Sequence, residues 1–274
     1  MRFPVSAFLT SLPLDFVSAV REIAALGFTH VDVVGLAVRP EEHLESLADS
    51  GLLVSCASLG RDLPGSLSLD ALALDARRQA VGIVQRQIAD TARLGATCGY
   101  LVPGIDASSA ALARFADACR VLGDFAGQRQ MQLCVEHCPG KALPSVAAAL
   151  DWLSETDRQD MKLLVDVGHC LISGEEPAQA IQQAGERLGY VHLDDNDGVK
   201  DLHRPLLAGR LTEQMLTAAL TALRAVGYQG ALALELNPHN ADPIGALRDG
   251  KSLVERCLVD LAHVPGTMKA LNGT

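Results

Sequence analysis

One local pattern recurs along the chain and constrains its fold more than any other: a helical run with one apolar side, then a glycine, then a short β-rich run. It occurs at Leu26-Gly27-Phe28, Ser50-Gly51-Leu52, Leu94-Gly95-Ala96, Leu188-Gly189-Tyr190 and Val226-Gly227-Tyr228. A glycine just past a helix end takes the left-handed conformation that closes the last turn. Each instance therefore predicts a helix-to-strand junction. Strands are predicted over residues 3–8, 31–34, 52–55, 100–102, 133–135, 163–167, 191–193 and 232–236.

These runs are apolar without alternation, which indicates strands buried on both faces, as in a parallel sheet. Between them lie amphipathic helical patterns, such as Ala80, Val84, Gln87, Ile88 and Thr91, or Leu211, Met215, Ala219 and Leu223. Eight strands, each followed by a helical segment at about 34 residues per unit, predict an α/β fold. Its architecture is a single (β/α)8 TIM barrel forming one domain over residues 1–274. A doubly wound open sheet is the alternative, but no Gly-x-Gly-x-x-Gly follows the first strand, and a dinucleotide-binding unit leaves about half the chain unexplained.

Composition narrows the partners. Of 274 residues, 49% are hydrophobic and 4% aromatic, so Ala, Val, Leu and Ile must fill the core. Lys plus Arg number 23 against 33 Asp plus Glu, a net charge of −10. Affinity for nucleic acid comes largely from cations neutralising phosphates, so no nucleic-acid partner is expected. The longest stretches free of Asp, Glu, Lys and Arg are twelve residues, 3–14 and 94–105, short of the roughly 18 needed to span a bilayer. No membrane partner is expected either. Pro4 and Pro13 interrupt the first apolar run, which predicts a first strand rather than a signal peptide. Seven cysteines without a Cys-x-x-Cys suit reduced thiols in a cytoplasmic protein. Cys134 and Cys138, which flank Glu136, read as small buried hydrophobes.

In a barrel of this kind the active residues sit at the C-terminal ends of the strands. The last four strands end on Glu136, Asp166, His192 and Glu235, separated by 30, 26 and 43 residues. Three carboxylates and an imidazole converging on the barrel axis repel one another unless a cation neutralises them, because burying uncompensated charge costs several kcal/mol. The set predicts one divalent metal ion. Oxygen-rich donors without thiolate favour Mn2+ first, with Mg2+, Co2+, Fe2+ or Zn2+ as alternatives. A lone strand-end acid is as often the N-cap of the next helix; four consecutive strand ends of this kind argue for the metal.

The segments Val165-Asp166-Val167-Gly168-His169, His192-Leu193-Asp194-Asp195-Asn196-Asp197-Gly198 with Asp201-Leu202-His203, and Leu234-Glu235-Leu236-Asn237 resemble the signature strand ends of the xylose isomerase-like barrels. That superfamily comprises sugar isomerases and epimerases, inosose and dehydroshikimate dehydratases, and apurinic-site endonucleases. The resemblance covers residues 27–238. It implies that Glu136, Asp166, His192 and Glu235 bind the metal and that His169 contacts substrate.

Several positions depart from the family pattern. Asp194 stands where many relatives have Lys, and Pro205-Leu206-Leu207-Ala208-Gly209-Arg210 replaces their Pro-Gly-x-Gly, so the loop over 194–210 is atypical. Asp32 replaces the usual glutamate of the second strand and is expected to cap the next loop. His137 follows Glu136 directly, so alternation turns it from the axis and gives it a structural role. Val102 precedes Pro103-Gly104 where the endonucleases carry a metal-binding histidine, which argues against a nuclease. Trp152 is expected to pack.

The implied activity is isomerisation or epimerisation of a keto-sugar or related hydroxy-carbonyl compound, by proton abstraction through a metal-stabilised enediolate. Glu136 and Glu235 form the acid/base pair. His203, Arg204 and Arg210 are candidates for holding substrate hydroxyl or carboxylate groups. Dehydration of an inosose or dehydroshikimate by the same residues is the alternative, with a non-catalytic sugar-binding barrel behind it. The expected partner is a small sugar-like molecule, and assembly into a homo-oligomer is left open.

Overall fold

In the computed structural model of the protein, which describes residues 3–156 and 158–263, strand β1 (Val5–Phe8) pairs in parallel with both β2 (His30–Val34) and β8 (Leu232–Leu234). That double pairing closes the sheet. Strands β3 (Leu53–Leu59), β4 (Cys98–Leu101), β5 (Gln132–Glu136), β6 (Lys162–Asp166) and β7 (Leu188–Leu193) follow in sequence order around the barrel. Helices α1 (Phe16–Ala25), α2 (Glu41–Ser50), α3 (Leu74–Arg93), α4 (Ser109–Gly127), α5 (Val146–Glu155), α6 (Val167–Ser173), α7 (Pro177–Ala184), α8 (Glu213–Ala225) and α9 (Pro243–His263) lie between and after them. This is the (β/α)8 barrel expected from the repeats. The β1–β8 pairing excludes an open doubly wound sheet.

Local chemistry sets the helix ends. Asp15, Ser108, Ser145 and Thr212 each accept a backbone N–H three residues on, which starts α1, α4, α5 and α8. Gly27, Gly51, Gly95 and Gly227 have φ of 75°, 68°, 81° and 75° and follow α1, α2, α3 and α8, as the junction pattern predicts. Gly189 departs from that pattern. It lies inside β7, where a Cβ would run into the Cys134 thiol and Lys162, so glycine here permits close strand approach. The helix end belongs instead to Gly185, with φ 48°. Strand β3 also runs four residues past its expected end, because Ser58 and its small neighbours Cys56 and Ala57 carry little hydrophobic signal yet pair with β2 and β4.

Two apolar layers result. The larger fills the space between sheet and helices, where Trp152 packs on Phe115 with ring centroids 5.4 Å apart. The smaller forms the floor inside the barrel from Cys56, Cys98, Tyr100, Cys134, Leu164 and Tyr190, with Ala231 and Ala233. Cys98 and Cys134 approach to 3.5 Å there, and all seven cysteines are free. Among the described residues no helix is long and apolar enough to cross a membrane.

Candidate metal centre

Strand register brings the four strand-end residues together above that floor. Asp166 pairs with His192 across β6 and β7. Glu136 pairs with Leu164, two residues before Asp166, and His192 pairs with Ala233, two residues before Glu235. Residues two apart share a face of the sheet, so all four side chains point into the mouth of the barrel. His192 Nδ1 lies 2.7 Å from Glu235 Oε2, 3.4 Å from Glu136 Oε1 and 3.8 Å from Asp166 Oδ2. The four candidate ligand atoms all lie within 4.8 Å of one another.

Glu136 Oε1 and Asp166 Oδ2 are buried and make no hydrogen bond, and His192 Nδ1, although 2.7 Å from Glu235 Oε2, makes none of good geometry. Buried polar atoms are nearly always paired, so lone pairs converging unpaired on one point fit a cation at that point. Three carboxylate oxygens with one imidazole nitrogen suit a divalent ion. Asp166 caps a helix and still has an oxygen free for the cluster: Oδ1 accepts the backbone N–H of His169 at 2.8 Å and starts α6, which leaves Oδ2 for the cluster.

The shared environment splits the two glutamates. Burial pushes the Glu136 carboxyl up, against the pull of His192 and His169. Burial acts on Glu235 in the same direction, but the attraction of His192, aided by His203 and Arg61, brings it down to about 2. The imidazole of His192 is itself raised well above its ordinary range, because Glu235 and Glu136 outweigh its own burial.

Around this centre one expectation is overturned. Asp32 does not cap the loop after β2; it is buried inside the barrel, because it pairs with Phe8 on β1 and Cys56 on β3 and shares their inward face. Its Oδ1 accepts the hydroxyls of Ser6 and Tyr190, each at 2.7 Å, and its Oδ2 lies 3.8 Å from His192 Nε2. His137 has the structural place expected of it. Its carbonyl lies 2.9 Å from His169 Nδ1, its Nε2 accepts the backbone N–H of Asp166, and burial holds it neutral with a pKa of about 3.

His169 and His203 are joined by Asp201, whose Oδ2 lies 3.3 Å from His169 Nε2 and whose Oδ1 lies 3.2 Å from His203 Nε2. His203 also contacts Asp194. Two three-residue groupings with metal-ligand chemistry, Cys138 with His169 and Asp201, and Asp166 with Asp194 and His203, adjoin the main cluster. The loop over 194–210 is held by Asp195, which accepts backbone N–H groups from Asn196, Gly209 and Leu211. Asn196 Oδ1 in turn accepts those of Leu202 and His203. The guanidinium of Arg204 donates to the Ala208 carbonyl and lies 3.8 Å from Asp197, and that of Arg210 packs beside Gly198. These contacts place both arginines along the loop rather than against the four strand-end residues.

Sequence reasoning missed Arg61. It follows β3 and sits with its guanidinium 5.4 Å over the Phe8 ring and 3.6 Å from Glu235 Oε1. Its only sequence signal is its place just after a strand end that was itself set too early. Val102 stands exposed beyond β4, and its side chain offers no ligand atom.

Known proteins agree with this architecture. The chain is 28% identical over 148 residues to an inosose dehydratase of Lacticaseibacillus casei, covering 47% of this chain and 49% of that enzyme. It is 31% identical over 74 residues to the inosose dehydratase of Clostridium botulinum, covering 27% of this chain and 25% of that enzyme. The matches thus span at most about half the length of these curated relatives. Among solved structures, 3-keto-D-glucoside 4-epimerase from E. coli superposes with a TM-score of 0.78 at 21% identity, over 93% of this chain and 100% of that one. An L-ribulose 3-epimerase superposes with a TM-score of 0.78 at 19% identity, over 98% and 100%. At such identities the agreement is one of fold. A model of the xylose isomerase-like TIM barrel matches residues 20–257, and the chain belongs to that family.

Proposed function

We propose that this protein is a divalent-metal-dependent isomerase or epimerase of a keto-sugar or related hydroxy-carbonyl compound. The observation that carries the reading is the placement of Glu136 and Glu235 on either side of one imidazole, 3.4 and 2.7 Å from His192 Nδ1, in a buried four-residue cluster with Asp166. Glu136, Asp166, His192 and Glu235 would hold the ion, Mn2+ first on donor type. When bound, such an ion polarises a carbonyl and its neighbouring hydroxyl and stabilises negative charge developing on oxygen.

The protein's own groups do the proton work. Glu235, kept ionised, takes the proton from the carbon between carbonyl and hydroxyl. Glu136, across the same imidazole and with its acidity weakened by burial, returns one. His169, His203 and Asp201 border the substrate side and offer partners for its hydroxyls, and Arg204 and Arg210 on the loop meet its far end. The unpaired cysteines accord with a cytoplasmic setting.

A second reading is dehydration, favoured by the inosose dehydratases among the curated relatives. The same proton is removed, the β-hydroxyl leaves as water with the proton of Glu136, and no residue changes. Incubating the Mn2+-loaded protein in D2O with ketoses, inososes and dehydroshikimate separates the two. Deuterium beside the carbonyl at constant composition supports isomerisation or epimerisation, and loss of one water supports dehydration. Neither change with any member of the panel refutes both.

A further inference from the structure

Asp32 takes no part in the proton transfers above, yet it is held firmly beneath the metal centre. Both hydroxyls that reach it, from Ser6 and Tyr190, fall on Oδ1. Its Oδ2 has no hydrogen-bond partner and faces His192 Nε2, which also has none, across 3.8 Å. The other ring nitrogen, Nδ1, faces the three carboxylates. The ring is walled by Phe8, stacked at 6.4 Å, and by the edges of Tyr100 and Tyr190 at 5.1 and 5.8 Å. That packing fixes which nitrogen faces which neighbour.

A neutral imidazole carries one proton, and a metal binds only the nitrogen without it. A proton on Nδ1 would block the ligand position; a proton on Nε2 frees it and needs an acceptor. We infer that Asp32 is a positioning residue that accepts the Nε2 proton of His192 and so keeps Nδ1 as the lone-pair donor to the metal. A movement of about 1 Å brings the pair to ordinary hydrogen-bond distance. Carboxylates behind metal-binding histidines fix tautomer and ring orientation in this way. The inference rests on the reading of His192 as a metal ligand.

The near-isosteric substitution Asp32→Asn is diagnostic. With the amide oxygen kept under the hydroxyls of Ser6 and Tyr190, the amide NH2 faces Nε2 and demands a lone pair there. The ring proton then moves to Nδ1, against the metal. Titrating Mn2+ into metal-free wild-type and D32N proteins, with free Mn2+ read by electron paramagnetic resonance, should show binding weakened by about 10–100-fold in D32N. Equal affinity in the two proteins overturns the role of Asp32. No Mn2+ binding by the wild-type protein overturns the metal centre itself, a different failure. Should D32N not fold, 15N-histidine spectra of the Zn2+-loaded wild-type protein decide. A proton on Nε2 with Nδ1 on the metal is expected, and metal on Nε2 or a proton on Nδ1 sinks the inference.

Discussion

Asp166 Oδ1 accepts the backbone N–H of His169 at 2.8 Å, while Oδ2 of the same carboxylate stays unpaired in the metal cluster. One side chain thus begins a helix and contributes a charge to the centre, and two substitutions separate these tasks. Asp166→Asn keeps a capping oxygen and loses the charge; Asp166→Ala loses both. In the presence of a chelator D166A should be less stable than D166N by about 0.5–2 kcal/mol, measured by denaturant unfolding. Both should bind Mn2+ at least about tenfold more weakly than the wild type. Wild-type affinity in D166N would remove Asp166 from the ligand set.

Glu136→Gln and Glu235→Gln each remove a proton acceptor or donor while keeping size and much of the packing. Turnover, or deuterium uptake from D2O where turnover has no assay, should fall by about 10²–10⁴-fold in each. Full activity in either variant excludes that residue from the acid/base pair.

Metal-free protein should lose stability as pH rises. Burial is the chief cause that raises Asp32 to about 6 and Asp194 to about 7, from an ordinary value of about 3.9. Because the folded values lie above the unfolded ones, the folded state holds extra protons in this window. The stabilising contribution is complete below about pH 4 and disappears as pH climbs through these values. His169, His192 and His203, where nearby carboxylates overcome the opposing effect of burial, are raised as well and act in the same direction above their ordinary pKa. Glu235 and Asp201 are lowered, so their contributions are lost only on acidification below the ordinary carboxylate range. His137, which burial lowers to about 3, opposes the trend up to its ordinary value but is outnumbered by the raised groups. The unfolding midpoint in chelator should therefore decline from about pH 5 to about pH 8, and Mn2+ should flatten the decline. A profile that rises across this range contradicts the buried-carboxylate assignment.

Gly168 lies under the loop at a point where a Cβ would overlap the carboxylate of Asp194 and the amide of Asn196. Gly168→Ala should cost about 1–3 kcal/mol through this overpacking. It should also weaken metal binding by displacing the turn that carries Asp166 and His169. Unchanged stability would mean that the loop yields freely.

The strand ends were legible because chemistry and position coincide there: Glu136, Asp166, His192 and Glu235 interrupt apolar runs at about the same point of successive βα units. Asp32 has the same inward position, but its partners Ser6 and Tyr190 lie 26 and 158 residues away. Nothing local distinguishes it from a cap. Gly189 imitates a helix end because the true one, Gly185, is separated from the strand by the single 3-10 turn Gly185–Arg187. Arg61 was missed because Ser55 and Ser58 hid the end of β3, and a side chain after an unseen strand end has no assigned place.

Asp195 binds both ends of the loop it anchors, with Asn196 at the start and Gly209 and Leu211 at the finish, all through one carboxylate. Mechanically this makes the segment a ring closed by a single clasp. Redesign of the substrate range should therefore treat residues 195–211 as one transferable cassette, exchanged whole with its clasp. Trimming the segment from one side opens the ring and lets go of His203, whose backbone Asn196 holds from within it.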